Sequence, residues 1–413
     1  MMSRLAVWAG FAIVLMVLPL IFSSSLGLSI LNQMTIAVIF ALSYNMLLGQ
    51  GGMLSFGHAV YYGMGGFIAI HLLNMIEFET LMLPVVLIPL AGGVGGLLVA
   101  VLIGTFSTRR AGTVFAMISL GIGELFAASS LIFESFFGGE GGISGWRDVG
   151  PTFFGIDFGQ QIEVYYLAAF WVFMATLFMY LFTRTPAGRM ANAVRDNHER
   201  AEFIGYSARK VRYITFCAAG LFAGIAGGLF AINYEIVTEE NLTLVTSGEV
   251  LLMAYIGGLG FFIGPIVGAV LLTLMSSVVS AWTDMWMLYL GILFVLTVMF
   301  LPRGLSGLII MHGPAWHLGR LRLLILPYTI SAVPALLFVL TLMGMIELAH
   351  SSAQEFVYLG LPLNPEGLSS WLLLAGTAAV SWLALQRTLP QLRDAWETAN
   401  ALPRPKDAQG EEN

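Results

Sequence analysis

The sequence predicts an all-α, polytopic membrane protein with about 10–12 transmembrane or re-entrant helices, each spanning helix needing about 20 apolar residues to cross roughly 30 Å of hydrocarbon. Three observations predict it. Of 413 residues, 58% are hydrophobic and only 10% charged, where soluble domains carry about 25% charged residues. Mean hydropathy is +0.86. Apolar runs of spanning length recur along most of the chain, and the loops between them hold nearly all the charge. The net charge of -6 says little about partners, because the position of each charge relative to the membrane is what counts. The single cysteine, Cys217, excludes an intrachain disulfide and any cysteine-based metal cluster; it reads as a small core residue of a span.

In chain order, Arg4 precedes the apolar run 5–22, which fits a cleaved signal peptide or a retained first span; in a chain this hydrophobic the retained span is adopted. Residues 30–48 form the second span, the glycines of 49–52 turn it round, and 54–73 form the third. Residues 83–106 return to Arg109 and Arg110, and 111–133 cross to a glycine-rich, mostly acidic loop at 134–163. Residues 165–182 and 213–233 flank the polar loop 183–212. The run 245–256 is too short for an ordinary span and leads into the glycines of 257–265, which break helices, so it reads as a short or re-entrant helix. Spans at 266–281 and 286–301 follow, then a hairpin of 323–346 and 368–386 and a polar tail from Arg387. The expected organisation is a membrane core over 1–310, an additional hairpin over 311–387 and a cytoplasmic tail over 388–413.

The loop 183–212 stands out as the one long polar stretch. Arg184, Arg189, Arg195, Arg200, Arg209, Lys210 and Arg212 stand against Asp196, Glu199 and Glu202, which places it on the cytoplasmic side. Pro186 offers a helix start, and Ala201, Ile204 and Gly205 fall on one face at helical spacing. A short helix with an apolar face on the inner surface needs a partner to press against. With an even number of spans and both termini inside, seventeen of the 18 lysines and arginines fall on that side, and only Arg147 falls outside.

Several chemistries are missing. A phosphate-binding GxxxxGK[ST] loop needs a lysine after glycine, but the lysines are Lys210, after Arg209, and Lys406, after Pro405. Secondary transporters place ionisable groups within spans; here Glu124 alone is read as deep, with His58 and His71 nearer span ends. Glu124 is either a protonated or hydrogen-bonded carboxyl against a neighbouring helix or part of a translocation path. No metal-ligand spacing or nucleophile triad appears, so an intramembrane enzyme is not supported. The 47 glycines cluster, as small residues do where helices approach closely in lipid. Two glycine-rich turns, at Gly49 and Gly257, both begin a span on the loop side, a hint of internal duplication.

Glu199-Arg200-Ala201-Glu202-Phe203-Ile204-Gly205 resembles the E-x-A-x-x-x-G core of the EAA loop of bacterial ABC importer permeases. Its surroundings, AVRDNHERAEFIGYSARKVR, are similar to the loop of LivM-type branched-chain amino acid permeases. So are LLGQGGMLSFGHAVYYGMGG at 47–66, FAMISLGIGEL at 115–125, GGEGGISG at 138–145 and GGLGFFIGPIVGA at 257–269. The resemblance runs over about 30–307 and leaves the second hairpin as an addition. It implies the ABC importer permease fold in a bacterial inner membrane, paired with a related permease, two cytosolic ATPases that bind the ATP, and an external solute-binding protein. The chain itself is then expected to hold no cofactor or metal and to meet lipid and a small solute, not nucleic acid. The resemblance assigns Glu199, Arg200, Ala201, Ile204 and Gly205 to ATPase coupling; Glu124, Asn45, Ser55 and His58 are candidates for the path. A stand-alone secondary transporter and a non-transporting scaffold or sensor remain the alternatives.

Overall fold

Long apolar runs become helix because, inside a bilayer, each backbone N–H and C=O must be satisfied within the protein. The computed structural model describes residues 2–152, 155–351 and 356–401, and the chain divides into two units, Met1–Gly307 and Leu308–Asn413. Among the described residues eight helices are long and apolar enough to cross a membrane. The protein is an all-α, multi-pass membrane protein.

The first unit carries α1 (Met2–Ile21), α2 (Ser25–Asn45), α3 (Ala59–Glu77), α4 (Ile88–Ser107), α5 (Thr113–Ile132), the single turn α6 (Glu134–Phe137) and α7 (Gln161–Arg184). Then come α8 (Pro186–Asp196), α9 (His198–Phe203), α10 (Ala208–Tyr234), α11 (Leu244–Gly257), α12 (Gly264–Leu274) and α13 (Trp286–Phe300). A short α14 (Gly304–Ile310) follows. Helix α10 is the most enclosed of the long helices, with 78% of its apolar window buried. It starts cleanly, with Ser207 Oγ accepting from Lys210 N at 3.4 Å. What lets α3 and α4 close on it is the absence of side chains: a Cβ on Gly224 would lie 2.4 Å from Gly92 O and 3.0 Å from Gly96 Cα. Lipid gives helices no hydrophobic reason to associate, so close van der Waals contact between small residues supplies the attraction. Helix α1 packs on α7, where the Trp8 and Phe173 rings meet edge-on at 5.8 Å and the Tyr165 hydroxyl donates to Leu15 O at 2.8 Å.

At the end of α10 the glycine-rich segment is ordered by a short antiparallel pairing of β1 (Ile143–Ser144) with β2 (Ile236–Val237), Ile143 opposite Val237. Arg147, the lone exception to the charge asymmetry, is held there. Its backbone N–H donates to Glu235 Oε1 at 3.1 Å, and its guanidinium donates to Asn233 O at 3.4 Å and Gly159 O at 3.1 Å. A cation anchored by carbonyls and a carboxylate has a structural reason to sit against the general rule.

The structure corrects two boundaries. The third span does not begin at Leu54: helix α2 passes into a π-helix, Met46–Gln50, and α3 starts only at Ala59. Gly52, with φ +65, and the tight seat of Gly57 keep the intervening segment out of helix. In the second unit, α15 (Gly313–His317) and α16 (Arg322–His350) precede the hairpin of β3 (Phe356–Tyr358) and β4 (Leu361–Leu363), and α17 (Leu368–Asn400) closes it. The tail expected from Arg387 is therefore helical as far as Asn400, and residues 402–413 lie outside the described residues. Ala399 is buried with Ala315 and Leu324, Ala395 and Trp396 pack beside it, and Arg320 donates to Ala401 O at 2.9 Å beyond the helix end. Only 17% of the apolar windows of α16 and α17 is buried, as suits helices whose solvent is lipid.

Candidate functional site

The break between α2 and α3 is irregular backbone inside the bundle, tolerable only where other groups satisfy it. Three helices do so. The Tyr44 hydroxyl of α2 donates to Ser55 O at 3.0 Å, Phe56 N donates to Ser119 Oγ of α5 at 3.0 Å, and Ala59 N donates to Ser247 Oγ of α11 at 3.0 Å. Ser43 Oγ and His58 Nε2 are 2.9 Å apart, and the His58 ring stacks on Phe40 at 5.5 Å with Tyr44 edge-on at 5.2 Å. Helix α5 reaches the break because Gly57 has no side chain: a Cβ there would lie 2.3 Å from Ser119 O.

Of the four path candidates, Asn45, Ser55 and His58 are brought to this break and are almost wholly buried. Asn45 Oδ1, Gln50 Oε1, Ser55 Oγ and His58 Nδ1 make no hydrogen bond among the described residues. Buried polar atoms are ordinarily paired, so this concentration of spare hydrogen-bonding capacity marks the break as a polar locus within an apolar bundle. Glu124 does not join it. Its neighbour Gly123 packs on Gly57, while Glu124 is exposed on a helix that buries little besides Phe115, Ala116, Ser119, Gly123 and Ser130.

Below the break a cavity of about 400 Å³ is lined by Asn45, Gln50, Asn192 and three arginines, Arg184, Arg189 and Arg195, together with Leu259 to Phe262 of the second glycine-rich turn. The two turns meet: a Cβ on Gly49 would lie 2.8 Å from Leu259 O. Arg195 donates through Nη1 to Gly49 O and pairs with Asp196 at 3.0 Å. A cation on the carbonyl end of a helix is electrostatically favoured. Here it also ties the polar loop to the broken helix.

The loop itself is a compact pair of helices. Thr185 Oγ1 caps α8 by accepting from Gly188 N at 3.2 Å, with Pro186 in the first turn. Asn197 Oδ1 caps α9 by accepting from Arg200 N at 2.9 Å. Ala191, Val194, Ala201, Ala208 and Val211 form the small core beneath them. The small face expected to admit a partner at Ala201 and Gly205 is thus half wrong: Ala201 is 2% exposed and packs against the chain's own α8 and α10. Gly205 lies in the left-handed region at φ +91 with open space about it and turns the chain after α9. Glu199 and Arg200 are exposed. The large outward groups are Phe203, 90% exposed, and Ile204, 62% exposed. Phe203 was missed as a site residue; a bare aromatic in a charged loop was the available signal.

A second omission is Glu249. It sits in the short run 245–256, whose local pattern signals a helix break and carries no sign of a pocket. Glu249 lies on α11 and lines a further cavity of about 320 Å³ with Gln33, Ser276 and Ser277. No group of three or more His, Cys, Asp or Glu side chains is placed to hold a metal among the described residues.

A family model described as "Branched-chain amino acid transport system / permease component" matches residues 26–299. The chain belongs to this family. It is a transmembrane transport permease subunit, and the matched region takes in the helix break, the polar loop and the second glycine-rich turn. The permease is 29% identical over 304 residues to the high-affinity branched-chain amino acid transport system permease protein LivM of Salmonella typhimurium, covering 68% of this chain and 69% of that one. It is 28% identical to LivM of Escherichia coli K12, over 65% and 67% of the two chains. It is 24% identical to the permease protein LivH of Salmonella typhimurium, over 65% of this chain and 90% of that one. No solved structure matches it. The match ends before the α16–α17 hairpin begins.

Proposed function

We propose that this permease subunit works in an ABC importer in the bacterial cytoplasmic membrane, with both termini and the 183–212 loop inside. Its partners are a second related permease, two cytosolic ATPases that hold the ATP, and an external solute-binding protein. The chain itself binds no cofactor and has no ATPase site. The cargo is a small amino-acid-like solute, and the names of the relatives favour a branched-chain amino acid. One observation carries the reading: a loop with its own core presents Phe203 and Ile204 outward and is tied through Arg195 to Gly49 at the helix break. Phe203 and Ile204, with Gly205 giving the turn, seat in a cleft of the ATPase, and Glu199 and Arg200 make polar contacts at its rim. Ala201 holds α9 to the loop core. Movement of the ATPase is then carried by Arg195 to the segment holding Asn45, Ser55 and His58, which line the path on this subunit. Glu124, on the open face of α5, meets the path from the second permease's side.

Uptake of labelled leucine by cells carrying this chain with its ATPases, second permease and binding protein tests the proposal. Transport persists under a protonophore when ATP is maintained and stops when the ATPase lysine is replaced. Uptake by this chain alone in liposomes, driven only by an ion gradient, would identify a secondary transporter instead. In the same cells Glu124→Gln alters rate or KM, since the amide keeps shape without charge; if both are unchanged, Glu124 is not in the path.

The orientation has its own test. With Cys217→Ser as background, a cysteine at Ser144 in β1 reacts with an impermeant thiol reagent on intact cells, and one at Ser207 before α10 does not. Both positions are exposed, so the reverse pattern overturns the assignment of sides.

A further inference from the structure

The cavity that contains Glu249 lies far from the arginine-rich loop. Helix α10 starts beside that loop at Ala208, and Tyr234, which lines the cavity, is its last residue. At a rise of about 1.5 Å per residue, 26 steps separate the two by about 39 Å. On α2 the lining runs from Gln33 to Phe40, in the middle of the helix, whereas Gly49, which Arg195 contacts, follows its end.

The lining of the cavity mixes polar and apolar side chains. Glu249, Gln33, Thr246, Ser276 and Ser277 supply polar groups, and Ile36, Phe40, Phe230 and Met253 supply hydrocarbon and ring surface. The serines come from a π-helix, Met275–Val279, that continues α12; such π turns recur at functional sites because the wider turn re-aims side chains. Ser277 donates to Gln33 Oε1 at 2.6 Å. The Gln33 amide also hydrogen-bonds the Tyr234 side chain, so Gln33 ties α2 to α10 and to the π-helix at this cavity.

Glu249 is the only charged group of the lining, and no ion pair involves it among the described residues. The charge that acts on its carboxyl is Glu240, of the same sign. An ionisable side chain at membrane depth is costly unless paired, and by default it marks a solute or ion site. A carboxylate without a cation, sharing its cavity with hydroxyls and apolar side chains, fits a cationic head on a hydrocarbon body.

We propose that this cavity binds the ammonium group of a small aliphatic solute, with Glu249 as its counter-ion and Ile36, Phe40, Phe230 and Met253 around its hydrocarbon part. It rests on the transport reading only for the expectation that the solute is an amino acid. The site adjoins the polar locus at the helix break through Phe40, which stacks on His58, and it extends from there to Tyr234, at the end of α10 away from the ATPase loop. A protein built this way discriminates by charge: the ammonium is required, and a carboxylate is tolerated through the serine and threonine hydroxyls.

The test uses the full chain in nanodiscs and three probes: leucine, isoamylamine, which keeps the ammonium and side chain, and isocaproate, which keeps the carboxylate and side chain. Calorimetry shows binding of leucine and isoamylamine and none of isocaproate. Glu249 is exposed at the cavity, so Glu249→Gln weakens both by about fivefold, the upper scale for an exposed charge pair. Lipid ethanolamine carries the same ammonium, so the titration is run in phosphatidylglycerol alone and with phosphatidylethanolamine added. Equal affinities assign the site to free solute, and weaker binding with ethanolamine lipid assigns it to the headgroup. Binding of isocaproate as tight as isoamylamine, no binding of either amine, or full affinity in Glu249→Gln overturns the proposal. As a control on folding, Cys217→Ser with Ser276→Cys is labelled by a thiol reagent, and isoamylamine slows that labelling only while Glu249 is present. Leucine uptake by the complete importer is measured in parallel. Uptake without amine binding removes this site alone, whereas amine binding without uptake removes the transport reading and leaves the site.

Discussion

Replacing Phe203 and Ile204 together by serine abolishes leucine uptake and ATPase co-purification while the permease remains folded in the membrane. Both side chains stand outside the small core of the α8–α9 loop, 90% and 62% exposed, so little packing within the chain is lost with them. Large apolar groups held out to water from an ordered element are the usual anchors of an interface. Truncating such an anchor costs about 2 kcal/mol or more, so the pair weakens docking roughly a thousandfold if the two effects add. Ala201→Trp fails for a different reason. Ala201 is enclosed by Ala191, Val194, Ala208 and Val211, and an indole there forces α9 off the loop before any partner is met. The two variants are separated by limited proteolysis of the purified chain: the loop stays resistant in the double serine variant and becomes cleavable in Ala201→Trp. Wild-type uptake in the double serine variant would show that the ATPase docks elsewhere.

Gly224→Leu prevents the bundle from forming. A Cβ at this position meets Gly92 O at 2.4 Å and the Cα atoms of Gly93 and Gly96 at 3.0 Å, and backbone cannot turn aside as a flexible side chain does. Overpacking a core by extra methylenes costs about 1–3 kcal/mol where side chains can adjust, and here the strain falls on two backbones at the centre of the protein. Size-exclusion chromatography in detergent shows Gly224→Leu aggregated or absent. Gly224→Ala is monodisperse with a lowered Tm. Gly376→Leu, on α17 where a new Cβ meets nothing within 4 Å, matches the wild type. A Gly224→Leu protein with the elution and Tm of the wild type would mean that α4 and α10 do not pack as closely as described.

Much of the architecture was legible because bilayer thickness imposes a length on apolar runs. The stretch 111–133 became Thr113–Ile132, and 165–182 fell within Gln161–Arg184. Boundaries failed where the deciding contact was distant in sequence. Nothing near Leu54 says that Ser119 and Ser247 will satisfy the backbone of a break before Ala59. Nothing near Arg387 says that Ala315 and Leu324 will give the last turns of α17 something to pack on.

The sequence by itself determined that this chain is a multi-pass helical membrane protein with one long polar loop, because hydrophobic length and charge asymmetry are local properties that the membrane reads directly. Its motifs also carried the permease family, since the spacing of Glu199, Ala201 and Gly205 is written along the chain. Only the tertiary structure decided which side of each motif faces outward. Helical spacing puts Ala201 and Gly205 on one face but does not say whether that face meets a partner or the protein's own α10. It likewise placed Glu249 on a cavity and Glu124 on an open face, because whether a carboxyl in an apolar run lines a pocket depends on helices that arrive from elsewhere in the chain.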